Sequence, residues 1–218
     1  MIHLNNITKY YPVKGGRKYI FKNVTLALPT GKNLGILGRN GAGKSTFLRI
    51  LGGIDFPNSG HIDAAVRFSW PLGLSSGFQG SLTGRDNAKF ICQLYNKSNR
   101  ETQEALAFIE DFAELGKYFT MPIKTYSNGM RARLAFAVSM AFDFDCYLID
   151  ELLSVGDVFF RKKSTQALNN LRSGRNIFLA SHSMPVLRQM CDAGVLLNNG
   201  QLTFYEDINE AVSTYENL

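Results

Sequence analysis

The apolar positions of this chain repeat with two different periods, and the changes between them divide the sequence into blocks. Val24, Leu26 and Leu28 alternate with the smaller Thr25 and Ala27, and Leu34-Gly35-Ile36-Leu37 is a short apolar run that ends at a glycine-rich turn. Both read as strands, since strand side chains alternate between two faces and a strand covered on both faces needs no polar side. A helix is predicted over residues 44 to about 51. Gly52-Gly53 and Pro57-Asn58-Ser59-Gly60 then interrupt the pattern, and a loop rich in Gly, Ser and Pro runs from Trp70 to Gly80.

Past that loop the period lengthens. Phe90, Ile91 and Leu94, then Leu106, Ile109 and Phe112, recur at helical spacing, which predicts mostly helix over residues 86–115. Strand patterns return at Cys146-Tyr147-Leu148-Ile149 and Ile177-Phe178-Leu179-Ala180, with a helix predicted between them over residues 158 to about 171. Val195-Leu196-Leu197 and Leu202-Thr203-Phe204 flank Asn199-Gly200, a pair suited to the positive φ angles of a tight hairpin turn. The expected architecture is an α/β core with a partly parallel sheet, formed by residues 1–81 and 143–218, interrupted by a helical sub-domain of roughly residues 82–142.

Composition narrows the class. A chain of 218 residues, 45% hydrophobic and 19% charged, can bury one substantial core, and no polar tract is long enough to suggest a disordered tail. The longest nearly unbroken apolar stretch, residues 134–142, holds Ser139 and is far shorter than the roughly 20 residues a membrane-crossing helix needs. The first residues carry neither the basic nor the apolar region of a secretory signal, so the protein is expected to stay in the cytosol. Cys92, Cys146 and Cys191 are scattered without metal-ligand spacing and read as reduced packing residues. The formal charge of +6 invites nucleic acid or an anionic membrane surface. The cations, however, are dispersed, Arg161-Lys162-Lys163 being the one run of three, so a solvated basic face and no nucleic-acid partner are expected.

One segment carries specific chemistry. Gly38-Arg39-Asn40-Gly41-Ala42-Gly43-Lys44-Ser45-Thr46 fits the phosphate-loop pattern G-x-x-x-x-G-K-[ST], set between a predicted strand and a predicted helix. Glycines let backbone N–H groups wrap phosphate oxygens, and the helix N-terminus adds a favourable dipole. Lys44 is expected on the β- and γ-phosphates and the Ser45 hydroxyl on Mg²⁺. The strand Cys146-Tyr147-Leu148-Ile149 ends in Asp150-Glu151, which supplies a metal partner in Asp150 and, in Glu151, a carboxylate to polarise an attacking water.

Tyr126-Ser127-Asn128-Gly129-Met130 resembles the signature motif of ABC-family ATPases, Leu-Ser-Gly-Gly-Gln, matching it at Ser127 and Gly129 and departing from it at Tyr126, Asn128 and Met130. Ser127 is also a good N-cap for a helix running through Leu134, Val138 and Ala141. Further elements fall in the family's order. Ser154-Val155-Gly156-Asp157 resembles the D-loop, and His182 resembles the switch histidine at the γ-phosphate. Tyr11 resembles the aromatic that stacks on adenine, with Tyr10 an equally legal choice. Gln79 is carried over as the metal-sensing glutamine, although it sits closer to Leu82-Thr83-Gly84-Arg85-Asp86-Asn87 than the family pattern places it.

The resemblance implies a phosphate-loop ABC cassette with a RecA-like mixed sheet, ATP and Mg²⁺ as ligands, and two cassettes closing head to tail, a homodimer being the simpler arrangement. It covers nearly the whole chain and is most specific to the ATP-binding proteins of polysaccharide exporters of the capsular type. That implies a separate multi-helix permease and a place on the cytoplasmic face of the bacterial inner membrane. The segment from Trp70 to Asn87 is the candidate docking surface for that permease, its apolar groups serving equally well as core anchors. Exporters of O-antigen, teichoic acid, drugs or lipids would use the same ATPase residues, and soluble ABC ATPases of ribosomes or DNA form a rival class.

Overall fold

The computed structural model describes residues 1–72, 77–150, 158–172 and 174–218. Among these the chain forms two compact units, one from residues 1–71, 144–150 and 170–218, the other from residues 72–143 and 158–169.

The first unit holds two sheets. Strands β1 (Ile2–Val13), β2 (Gly16–Leu28) and β4 (Ser59–Ala64) form an antiparallel sheet in the order β2-β1-β4. Strands β3 (Leu34–Leu37), β5 (Cys146–Asp150), β6 (Asn176–Ala180), β7 (Ala193–Asn198) and β8 (Gln201–Tyr205) form the second, in the order β5-β6-β3-β7-β8. The first four of that order are mutually parallel and β8 returns antiparallel beside β7. The parallel strands are apolar nearly throughout because both of their faces are covered, as expected when crossover helices lie on a sheet. The β7–β8 turn places Asn199 at φ 48° and Gly200 at φ 76°, the two positive angles that the Asn-Gly pair supplies at low cost.

Helix α1 (Lys44–Leu51) follows β3 and buries Phe47, Leu48, Ile50 and Leu51 in a core shared with Phe21, Val24, Leu34, Ile36, Leu148 and Phe178. Each such side chain contributes about 1.5–3 kcal/mol on leaving water. Two elements of this unit carry no regular apolar repeat. In β1 the residue Asn6 turns to φ 51° and the pairing with β2 shifts register between Leu4 and Ile7, so the inward positions Ile2, Leu4 and Ile7 do not alternate. Strand β4 is polar and largely exposed, and it begins inside the Pro57-to-Gly60 stretch that reads as a break.

The second unit is helical. Helix α2 (Gly84–Leu94) is capped by Thr83, whose hydroxyl accepts the Asp86 N–H. Helix α3 (Asn99–Ala113) opens with a reciprocal capping box between Ser98 and Glu101 and ends at Glu114 in a left-handed conformation. The predicted helical block is thus two helices, broken at Tyr95–Ser98 where Asn96 takes φ 54°. Helix α4 (Asn128–Met140) follows two short 3-10 turns. Phe160, near the start of α5 (Val158–Arg172), packs its ring edge-on against Phe112 and Phe136. Helices α6 (Met184–Met190) and α7 (Ile208–Glu216) complete the first unit. All three cysteines are free and buried. Burial pushes the Cys191 thiol up to about 12, so the predicted packing role holds. Among the described residues no helix is long and apolar enough to cross a membrane.

Candidate functional site

Strands β5, β6 and β3 lie side by side and parallel, with Asp150 opposite Ala180 and Ala180 opposite Ile36. Their carboxyl ends therefore reach one edge of the sheet together, the edge where open α/β sheets bind ligands. The β5 end presents Asp150, the residues after β6 present His182, and β3 runs into the loop of residues 38–43. These pieces line one cleft of about 380 Å³, formed by Ile20, Asn40, Gly41, Gly43, Lys44, Ser45, Thr46, Asp150 and His182.

The loop's shape follows from its glycines. Gly43, which precedes α1, has φ 111°, and a Cβ there would run into Ile20 Cγ2. Gly38 has φ 153° and lies so close to Leu197 that a Cβ would meet its carbonyl oxygen at 2.8 Å. The Ala42 N–H donates to the Arg39 carbonyl at 3.1 Å, a turn just ahead of the first residues of α1, which line the cleft and begin a helix with unpaired amides. Lys44 is only 8% exposed, and its ammonium donates to the carbonyls of Gly38 at 2.7 Å and Arg39 at 3.3 Å. A buried cation, a helix N-terminus and a glycine-lined wall make a receptor for polyphosphate. Ser45 is exposed at the cleft and Asp150 half-buried, two hard oxygen donors of the kind Mg²⁺ takes. His182 is exposed at the cleft wall.

Other sequence-predicted residues stand elsewhere. Arg39 belongs to the loop through its backbone, while its guanidinium donates to the Leu218 carbonyl at 2.9 Å. Tyr11 is on β1 and outside the lining of the cleft, its hydroxyl donating to Asp55 at 2.7 Å. Tyr10 has its ring 5.4 Å from Tyr19 and 4.5 Å from the Arg17 guanidinium carbon. Glu151 and Asp157 lie outside the described residues, as do Ser154, Val155 and Gly156. Ile20 lines the cleft although nothing in the sequence marks a lone strand isoleucine as a site residue.

Within the second unit Ser127 caps α4, its hydroxyl accepting the Met130 N–H at 3.2 Å, and Ser127 and Asn128 are exposed. Tyr126 is 3% exposed and donates its hydroxyl to the Tyr118 carbonyl at 2.6 Å. The departure from leucine at this position is thus a core side chain with its one polar atom satisfied. Gln79 is exposed and tied by its backbone to Asn87, accepting from Nδ2 at 3.1 Å and donating to Oδ1 at 2.7 Å. In the first unit Trp70 stacks edge-on against Phe144 at 5.3 Å, a core contact.

Known proteins agree with this chemistry. A family model described as ABC transporter matches residues 21–154, well over half of the chain. The chain is 52% identical over 217 residues to the polysialic acid transport ATP-binding protein KpsT of Escherichia coli, covering 99% of each protein. It is 44% identical over 218 residues to the capsule polysaccharide export ATP-binding protein CtrD of Neisseria meningitidis serogroup B, covering 100% of both. Among solved structures, the dimeric ATP-binding cassette MJ0796 bound to ADP and Pi in a post-hydrolysis state superposes with a TM-score of 0.77 at 23% identity, over 95% of this chain and 99% of that one, a likeness of fold. The chain belongs to the ABC transporter family, as one of its ATP-hydrolysing cassettes.

Proposed function

We propose that this chain is the ATPase subunit that energises export of a capsular polysaccharide across the bacterial inner membrane, working with a separate permease. The observation that carries the reading is the convergence of the phosphate loop, Asp150 and His182 on one sheet edge, in a chain alike from end to end to polysaccharide-export cassettes.

In this reading residues 1–81 and 143–218 are the ATPase core and residues 82–142 its helical sub-domain, although residues 77–81 and 158–169 pack within the helical unit. Lys44 and the amides of the loop hold the β- and γ-phosphates, where the helix dipole and a desolvated cation favour negative charge. Ser45 and Asp150 would hold Mg²⁺, which when bound would neutralise negative charge that develops on the phosphates. Glu151 takes a proton from the attacking water and His182 donates to the γ-phosphate. Tyr11 meets the base. Ser127, Gly129 and Asp157 serve the nucleotide of a second copy, so that two chains close head to tail on two ATP molecules and part after hydrolysis. The permease converts that closure into movement of the glycan, and the chain touches the cytoplasmic face of the membrane through it.

The test is affinity capture of tagged Glu151→Gln protein from detergent-solubilised membranes with ATP and Mg²⁺. A multi-helix permease is the expected recovery, and turnover is expected to stop while ATP stays bound. Recovery of ribosomes or DNA without a permease, or normal turnover in the variant, would overturn the reading.

A further inference from the structure

Helix α1 begins at Lys44, and its other end is held by a half-buried polar network whose Lys9 and Asp55 the ATPase chemistry above does not use. After Gly52 the chain folds back, and the N–H groups of Ile54 and Asp55 both donate to the Arg49 carbonyl, at 2.9 and 3.2 Å. The Asp55 carboxylate then receives the Lys9 ammonium on Oδ1 at 2.6 Å, the Phe56 N–H on Oδ1 at 2.8 Å and the Tyr11 hydroxyl on Oδ2 at 2.7 Å. Lys9 also donates to the Phe56 carbonyl at 2.8 Å, and its ammonium lies 4.9 Å from the centre of the Tyr11 ring. Alongside, the Tyr10 N–H donates to the Asn58 side chain at 2.7 Å and the Asn58 N–H to the Thr8 carbonyl at 2.8 Å. Residues 8–11 of β1 are thereby laced to residues 55–58, which follow α1.

Lys9 is a cation only 6% exposed. Taking an ion pair partly out of water, here with Asp55 still 24% exposed, gains little over an apolar pair of the same size, so its stability alone does not account for it; what it adds is direction. Both carboxylate oxygens are used, one by Lys9 and one by Tyr11, so the phenol is held at its hydroxyl while the ammonium sits against its ring. We propose that Asp55 and Lys9 are positioning residues for nucleotide binding, fixing the Tyr11 ring for the base and the exit of the phosphate-loop helix in one network. The inference rests on the proposed contact between Tyr11 and the base, and it makes that contact depend on a hydroxyl that stacking itself does not require.

The experiment compares binding of ATP with binding of inorganic tripolyphosphate, which has no base, to the full chain and to Tyr11→Phe, Asp55→Asn and Tyr11→Ala. Circular dichroism and thermal unfolding check that each variant is folded. Tyr11→Phe and Asp55→Asn are expected to weaken ATP about tenfold, the worth of one hydrogen bond to a charged group, and to leave tripolyphosphate unchanged. Parallel weakening of both probes would reduce the network to scaffolding and overturn the proposal. If Tyr11→Ala alone weakens ATP, the base contact stands and the positioning role falls. If Tyr11→Ala binds both probes like the parent, the base contact itself falls and takes the proposal with it. Should Asp55→Asn not fold, Tyr11→Phe, which removes one oxygen atom, carries the test.

Discussion

The Lys44 ammonium lies 2.7 Å from the carbonyl oxygen of Gly38, six residues earlier, so the phosphate loop is closed around its own lysine. That cation is buried and its residue lines a small cleft, where electrostatic interactions are stronger than at an open surface. Replacing Lys44 by Glu puts a negative charge against both the loop carbonyls and the incoming phosphates. Titration with ATP is expected to show at least about a hundredfold loss of affinity. Unchanged affinity would remove the phosphate role from this loop.

Gly43 supports a separate prediction about the loop's shape. Its φ of 111° is reached by L-residues only with strain, and Ile20 fills the space that a side chain would take. Gly43→Ala is expected to cost about 1–3 kcal/mol of stability in denaturant unfolding and to weaken ATP binding as the loop distorts. Measured in an Ile20→Ala background, which carries its own cost because Ile20 is a core side chain, the penalty of Gly43→Ala should lose the part due to the contact and keep the part due to the backbone. A penalty that vanishes in that background would mean that the contact is the whole of it.

The two serine caps of the helical unit separate a stability role from an ATPase role. Ser98 caps α3 and Ser127 caps α4, each hydroxyl accepting an N–H three residues on. Replacing either by Ala should cost about 1 kcal/mol of stability. Only Ser127→Ala is expected to lower ATPase turnover beyond that loss, because in the proposed pair Ser127 reaches the other chain's nucleotide. Equal effects of the two substitutions on turnover would leave Ser127 as a helix cap alone.

How far the molecule was legible in its sequence depended on whether a residue's role is local. The runs at Leu34–Leu37 and Cys146–Asp150, helix α1 and the Asn199-Gly200 turn follow from nearest-neighbour patterns and appear with their expected bounds to within a residue or two. Strand β1 did not read as a strand, because Asn6 at positive φ resets its alternation, and β4 did not because its side chains are polar. Lys44, Ser45 and Asp150 were legible as chemistry since loop and strand end each carry a motif, and strand order then brings them to one edge. Ile20 and Asp55 were not. Each acts only through partners far along the chain, Gly43 for one and Lys9 and Tyr11 for the other.

The acid limb of the stability curve follows from Asp55. Burial pushes its carboxyl up, and the hydrogen bonds from Lys9, Tyr11 and the Phe56 N–H more than offset this, holding it below the usual carboxylate range. A carboxyl depressed in the folded state adds stability that is fully present above its unfolded value of about 3.9 and is lost as pH falls through the folded value. The difference in unfolding free energy between the parent and Asp55→Asn should therefore be constant above about pH 5 and shrink below about pH 4. Glu101 and Asp145 are also held low, the first mainly by the Ser98 hydroxyl and the second mainly by the Arg67 N–H, but they titrate in both proteins and cancel in the difference. Urea unfolding at a series of pH values measures it. A difference that stays constant down to pH 3 would mean that the charge on Asp55 contributes nothing, and that the network is held by shape alone.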